Sequence, residues 1–224
     1  MNTTSIAGFS FSKFVAVIAM LVLSWCPPMC QASEVVNFDS LDTTSGSVSG
    51  VPLTNYLAGF GITVSDVTPG TTLTVENLSV SMFVPQTPPN ALHQQNNANG
   101  ESYTLNFSPA LSSLSFTRCA ELPGPDGIAY PYWSATAYDG SLQIGQVSED
   151  AYSLWPYNGS KPAHTYAFTG SHITSLVVYG NAYNFAACST LMIDDIVLTP
   201  TPEPATLSLL ALGALAMLRR RMRG

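Results

Sequence analysis

His93, His164 and His172 are the only histidines in this chain, and none stands in a pattern that performs catalysis. HExxH, which sets two imidazoles on one helix face for zinc, is absent, as are GxSxG and any cysteine–histidine motif. His93 reads as part of a polar loop and His172 as a strand start, so each is expected to be solvated. Glycoside hydrolysis needs two carboxylates about 5–9 Å apart across a cleft. Glu149 with Asp150, or Glu121 with Asp126, could be imagined in that role, but near neighbours in sequence read first as exposed turn residues. The expectation is a protein without catalysis. The aromatic residues are more suggestive. Tyr130, Tyr132 and Trp133 form one group, and Tyr152, Trp155 and Tyr157 a second. Trp and Tyr offer an apolar face and a hydrogen-bonding edge, which suits a sugar ring. Trp133, Trp155 and Tyr157 are therefore candidate glycan contacts. Trp133 has a competing reading as a core residue of a strand, while Trp155 and Tyr157 sit beside Pro156 and Asn158-Gly159 in a turn.

The two ends of the chain say where such residues would act. Lys13 is the only charge before residue 34, Phe14 to Trp25 is apolar, and Cys26-Pro27-Pro28-Met29-Cys30 breaks the run. Small residues at Cys30 and Ala32 then complete a secretory signal peptide, residues 1–32, with cleavage expected after Ala32. At the other end, Ala205 to Leu218 carries no charge and is rich in helix-forming Leu and Ala. Four of the seven basic residues of the chain follow within its last six positions. Arginines beside an apolar run mark a cytoplasmic end. Fourteen residues are short of the roughly 20 needed for a relaxed span, so snorkelling arginines and a transient hold in the inner membrane are expected.

Between these ends lies an exported part, residues 33–200, long enough for one domain with a real core. Arg118 and Lys161 are its only basic residues, against thirteen acidic ones. That balance excludes nucleic acid, which needs basic patches to neutralise phosphates. Once the signal peptide is removed, Cys119 and Cys188 are the only cysteines, and an oxidising compartment makes one disulfide the expected state. Closing that loop would stabilise by about 4 kcal/mol in the chain-entropy model.

The elements that must position these residues read as strands. Short runs rich in β-branched and aromatic residues recur between Gly, Pro, Asn and Asp. They cover 34–38, 60–67, 71–78, 102–107, 111–119, 132–138, 141–147, 163–168, 172–179 and 190–198. Asp139-Gly140 is a hairpin signal. Tyr103, Leu105 and Phe107, and then Leu114 and Phe116, alternate toward a core. No helical periodicity stands out between residues 33 and 200. Residues 85–100 and 121–131, dominated by Pro, Gly and Asn, read as long exposed loops. Ten strands at these spacings predict an all-β, jelly-roll-like β-sandwich ectodomain with Greek-key connections. A signal-peptide helix and a C-terminal hydrophobic helix flank it.

Pro202-Glu203-Pro204, the short hydrophobic run and Arg219-Arg220-Arg221 in that order resemble the PEP-CTERM sorting signal of Gram-negative bacteria. The resemblance covers residues 201–224. It implies export through the inner membrane, an exosortase as partner, processing near the Pro-Glu-Pro motif, and a destination at the periplasm, cell surface or extracellular matrix. A second resemblance is spread over Val36-Asn37-Phe38-Asp39, Ala58-Gly59-Phe60-Gly61-Ile62-Thr63 and Ile193-Asp194-Asp195-Ile196. These segments are similar to the galactose-binding-like β-sandwich ectodomains of PEP-CTERM proteins. That likeness implies an extracellular polysaccharide as partner. It also implies a structural Ca²⁺ where first and last strands meet, with Asp39, Asp42, Asp194 and Asp195 as the candidate ligands. Adjacent aspartates on a strand point to opposite faces, so only one of Asp194 and Asp195 is expected at a given site. A solvated pair at a strand end is the competing reading.

Overall fold

The computed structural model describes residues 32–79, 83–95, 100–122, 129–153, 160–181 and 190–201, together with Gly213. Ala32–Thr201 forms one compact unit. A second unit consists of Met1–Gln31 and Pro202–Gly224, of which Gly213 alone is described, in a helix. The signal peptide, the apolar run 205–218 and the arginine cluster thus lie outside the described residues. No helix among the described residues is long and apolar enough to cross a membrane.

The architecture hangs on two strands of eighteen residues, β7 (Glu101–Arg118) and β13 (His164–Asn181). They pair antiparallel along their whole length, from Glu101 opposite Gly180 to Arg118 opposite His164. The sequence breaks each of them in two, at Ser108-Pro109-Ala110 and at residues 169–171. The structure keeps each continuous and shifts the register there instead. The extra residues also change the phase of burial. Tyr103, Leu105 and Phe107 face the core before the bend, and Leu114 and Phe116 after it. A bulge re-aims a pleat in this way because side chains alternate with period two.

The bend lets β7 and β13 serve both layers of the sandwich. Before it, β7 carries β3 (Ile62–Ser65) on one side. On its other side, the far half of β13 leads to β10 (Tyr132–Asp139) and β11 (Leu142–Glu149). After the bend, β7 pairs with β14 (Ile193–Pro200). The order then continues through β6 (Asn90–Gln95), β4 (Thr72–Asn77) and β2 (Val48–Ser49), while β1 (Glu34–Val36) adds to β14. Two short pairs complete the set: β5 (Phe83–Val84) with β8 (Ala120–Glu121), and β9 (Ala129–Tyr130) with β12 (Tyr152–Ser153).

The layers meet through an aromatic core. Trp133 on β10 contacts Phe116 on β7 and Tyr166 on β13, with ring centroids 6.3 and 5.2 Å apart. Trp133 and Phe116 are fully buried, and such a side chain contributes about 1.5–3 kcal/mol through removal from water. Gly145 on β11 leaves room for the Phe168 ring, which a Cβ would meet at 3.3 Å.

Two expectations need correction. A helix, α1 (Gly50–Ala58), sits in the exported part. Its Leu53 and Leu57, one turn apart, are buried, and Pro52 lies in the first turn, where its missing N–H costs nothing. Nine residues with two buried positions give too little periodicity to stand out. The stretch 85–100 is also not one loop, because β6 occupies its centre between β4 and β14. Asn90 and Gln94 are buried there, so their polarity does not signal exposure. The Asn90 amide donates to the carbonyls of Phe38 and Leu41, and the Gln94 amide to Thr71 and the carbonyl of Ser102.

Gly61 is fixed by the bend of β7. Its φ is +69°, and a Cβ there would stand 2.2 Å from the carbonyl oxygen of Ser108, whose N–H bonds back to Gly61. Gly61→Ala is expected to lower stability by about 3 kcal/mol. Urea unfolding of the full chain in detergent checks this.

Candidate functional site

Charge is sparse in this unit, and its two cations meet at one end of the sandwich. Arg118, last residue of β7, is 2% exposed. Its Nε donates to Oε1 of Glu149 at 2.9 Å, and its Nη1 and Nη2 donate to the carbonyls of Cys119 and Pro162 at 2.7 Å each. Lys161 Nζ lies 2.7 Å from the second oxygen of Glu149, and the Tyr166 hydroxyl also donates to Glu149. Burial pulls the Glu149 carboxyl upward. The hydrogen bonds from Lys161 and Tyr166, with the charge of Arg118, overcome it and hold the group below its usual range. Burial and the same carboxylate push the Tyr166 phenol up to about 12.

Glu121 on β8 completes the group. It is fully buried, and neither carboxyl oxygen has a hydrogen-bond partner. Burial raises it to about 7, against the opposing pull of Lys161 and Arg118. Two carboxylates in one neighbourhood thus have opposite protonation preferences. The sequence pairs imagined for hydrolysis, Glu149 with Asp150 and Glu121 with Asp126, are not the arrangement found. Asp150 is exposed and Asp126 lies outside the described residues.

A second polar cluster lies where β14 meets the segment 86–90. Thr87 donates its N–H to Asp194 Oδ2 at 2.7 Å, and its hydroxyl lies 3.1 Å from that oxygen and 2.9 Å from Asp195 Oδ1. The Asp195 N–H closes on Asp194 Oδ1 at 2.8 Å. Asp195 has φ of +46°, and the β7–β14 register shifts between Asp194 and Val197. The bulge therefore brings both aspartates to Thr87, which corrects the expectation from strict alternation. Burial pushes Asp194 up to about 6, with the Asp195 charge adding to it and the N–H groups of Thr87 and Asp195 opposing. Asp39 is raised as well, by burial and the nearby Asp195, while donors on Asn90 and Thr87 pull it down.

Three of the four expected calcium ligands, Asp39, Asp194 and Asp195, are thus brought together. Asp42 is not among them: its Oδ1 accepts the N–H and hydroxyl of Thr44 on the exposed side. Asp194 already has a protein donor on each oxygen. No group of three or more Cys, His, Asp or Glu that could hold a metal ion occurs among the described residues. The residues present do not fit a Ca²⁺ cage of six to eight oxygens. They act as a hydrogen-bonded staple between the last strand and segment 86–90.

Other expected site residues fall as follows. Trp133 is fully buried and shows no ring face to a ligand, so its core reading holds and its glycan role is withdrawn. Trp155 and Tyr157 lie outside the described residues, as do Pro202, Glu203, Pro204, Arg219, Arg220 and Arg221. Cys119 is buried, and its expected partner Cys188 is outside the described residues. His93 is not solvated: it is 3% exposed on β6, with Nε2 2.8 Å from Glu76. His172 is exposed and bonded to Asp139 at 2.8 Å. The sequence reading missed the Arg118–Glu149–Lys161 group. The one available signal was that an acidic exported segment spends only two cations.

Comparisons with known proteins add the following. The family described as the PEP-CTERM protein-sorting motif matches residues 200–223. A chain with this motif is exported in Gram-negative bacteria and sorted at the membrane through exosortase processing. No curated protein matches the chain. Among solved structures, an arabinose-bound α-L-arabinofuranosidase is similar over 77% of this chain, at 10% identity and a TM-score of 0.47. This chain spans 27% of that one. The K2 cleaved adhesin domain of Lys-gingipain is similar over 75% of this chain and 99% of its own, at 12% identity and a TM-score of 0.45. A Caldicellulosiruptor saccharolyticus carbohydrate-binding module, solved with mannohexaose, is similar over 76% and 98%, at 11% identity and a TM-score of 0.37.

Two outcomes follow from the clusters. Glu149→Gln removes the carboxylate that the buried Arg118 and Lys161 face and is expected to cost about 3 kcal/mol near pH 7. Because the native Glu149 pKa is depressed, the wild-type advantage is present above the ordinary carboxylate range and is lost as pH falls through the depressed value. Denaturant unfolding of both proteins across acid pH measures that convergence. Chelation is expected to leave the melting temperature unchanged, since Asp194 and Asp195 are bonded to protein donors. A drop on addition of EDTA, restored by Ca²⁺, would contradict the staple.

Proposed function

We propose that the chain is an exported, non-catalytic protein of the cell surface or extracellular matrix that takes part in exopolysaccharide or biofilm organisation. The observation that carries this reading is the sorting motif at 200–223, at the C-terminal end of a compact, mostly β unit, Ala32–Thr201. The motif supplies the route, and the unit is what arrives. A non-catalytic role is supported by the state of the carboxylates. Glu149 is held by three donors, Glu121 is buried at 0% exposure, and Asp194 accepts protein N–H groups on both oxygens. None of them is presented to a substrate. The acidic surface suits a partner that is neutral or bridged by cations and excludes the phosphate backbone of nucleic acid.

Extracellular polysaccharide is the partner chemistry this reading implies, with Trp155 and Tyr157 as the remaining aromatic contacts. The Cys119–Cys188 disulfide belongs to the same proposal, as a staple for a chain working in an oxidising compartment.

In cells, the mature surface protein is expected to lack the Arg-rich end by mass spectrometry and to co-fractionate with extracellular polymer. Deleting the exosortase should leave the uncleaved chain in the inner membrane. An intact C-terminus on surface protein from exosortase-positive cells would overturn the sorting route. Correct processing without polymer association would overturn the matrix role alone.

A further inference from the structure

The strands on one side of the bend present two unlike faces. Toward the core, β10 sends Trp133, Ala135 and Ala137, and the far half of β13 sends Leu176 and Val178. The first half of β7 adds Tyr103, Leu105 and Phe107. Side chains alternate along a strand, so the residues between these project to the opposite face. Register lines them up in rows. Gln146 on β11 stands opposite Thr136 on β10, and Thr136 opposite Val177 on β13. The row continues through Thr104 on β7 to Ser65 on β3. The next row toward the bend runs likewise from Gln143 through Tyr138, Ser175 and Asn106 to Thr63. A third, on the other side, joins Ser148, Ser134, Tyr179 and Ser102.

None of these positions bears a charge. The exported part holds thirteen acidic residues, and Glu101, Asp139 and Glu149 lie on these same strands. Each has the parity of the core residues: Glu101 that of Tyr103, Asp139 that of Ala137, and Glu149 stands opposite Trp133. The outer face is thus neutral within an acidic chain. Asp66, which follows β3 and accepts from the Ser65 hydroxyl at 2.8 Å, is a carboxylate at its rim.

In place of charge the face offers hydroxyls, primary amides and phenol rings. Gln143, Gln146 and Thr63 are exposed at its flanks, and Thr104 and Thr136 lie lower, each 8% exposed. Neighbouring strands are about 4.8 Å apart, so a row from β11 to β3 spans roughly 19 Å. A sugar chain has matching chemistry: its hydroxyls pair with amides and hydroxyls, and its C–H faces pack on phenol rings. A protein partner calls for an apolar centre, and Val177 is the one aliphatic side chain in the three rows. Cationic and phosphate ligands call for charges that the rows lack.

We propose that this outer face binds a neutral polysaccharide, with Tyr138, Gln143 and Gln146 as contacts. The proposal rests on the polysaccharide reading above and gives that partner a surface that does not require Trp155 or Tyr157.

The test uses the full chain in neutral detergent and the extracellular polymer of the producing cells, split by anion exchange into neutral and acidic fractions. Affinity electrophoresis should show the wild type retarded by the neutral fraction. Tyr138→Ala, and Gln143→Ala combined with Gln146→Ala, are each expected to weaken that binding about tenfold, while Trp155→Ala retains it. Both glutamines are exposed, so the double variant should melt with the wild type, and it decides the matter if Tyr138→Ala does not fold. Wild-type affinity in the double variant would overturn the face. Binding lost in Trp155→Ala alone would do the same while leaving the matrix role intact. Retardation by the acidic fraction only would overturn the neutral ligand. Self-association without polymer that the double variant abolishes would reassign the face to a contact between copies. Failure to bind either fraction overturns the face, and polymer co-fractionation in cells then reports separately on the matrix role.

Discussion

Both layers of this protein depend on the bend shared by β7 and β13. Both strands belong to one ten-stranded sheet, and the register shift opposite Ser108-Pro109-Ala110 divides the pair into two halves with different neighbours. The shift changes which alternate residues face inward, so Phe107 and Leu114 both reach the core despite opposite parity. Everything added later uses one half of the pair: β3, β10 and β11 on one side of the bend, β14, β6 and β4 on the other. Gly61, pressed against the Ser108 carbonyl, shows how little slack the bend has.

That geometry also decides the electrostatics. The end of β7 and the start of β13 lie opposite one another, which puts Arg118 beside Tyr166 and within reach of Glu149 on β11. A buried arginine is costly unless every donor is used. Here its three donor groups go to one carboxylate and two backbone carbonyls. The acidic surface is therefore unopposed, because both cations of the exported unit are spent internally. Glu121 is the residue left over from this arrangement, a carboxyl at the edge of a cluster whose donors are engaged elsewhere.

The aspartates near the chain's first and last strands illustrate a different economy. Carboxylates converging at such a junction can be satisfied by a metal or by protein N–H groups. The left-handed turn at Asp195 aims backbone donors and the Thr87 hydroxyl at them. The interior polar residues of β6 follow the same logic: Asn90 donates to the loop carbonyls of Phe38 and Leu41, and Gln94 to the carbonyl of Ser102 at the start of β7. Side chains that look like loop chemistry in one dimension serve as internal caps in three.

The sequence by itself determined the sorting motif, the all-β class, most strand positions and the acidic balance. These rest on contiguous patterns: an apolar run before arginines, period-two alternation, turn residues between strands. The tertiary structure decided the rest. It fused 102–107 with 111–119 and 163–168 with 172–179, buried Trp133 and His93, and set Asp194 and Asp195 on one threonine. It also gathered Arg118, Glu149 and Lys161, which are separated by 31 residues in the first pair. The physical reason is common to all of these. A bulge, a buried polar partner or an ion pair is fixed by what lies across the sheet, and the identity of that neighbour is set by register, which local pattern does not encode.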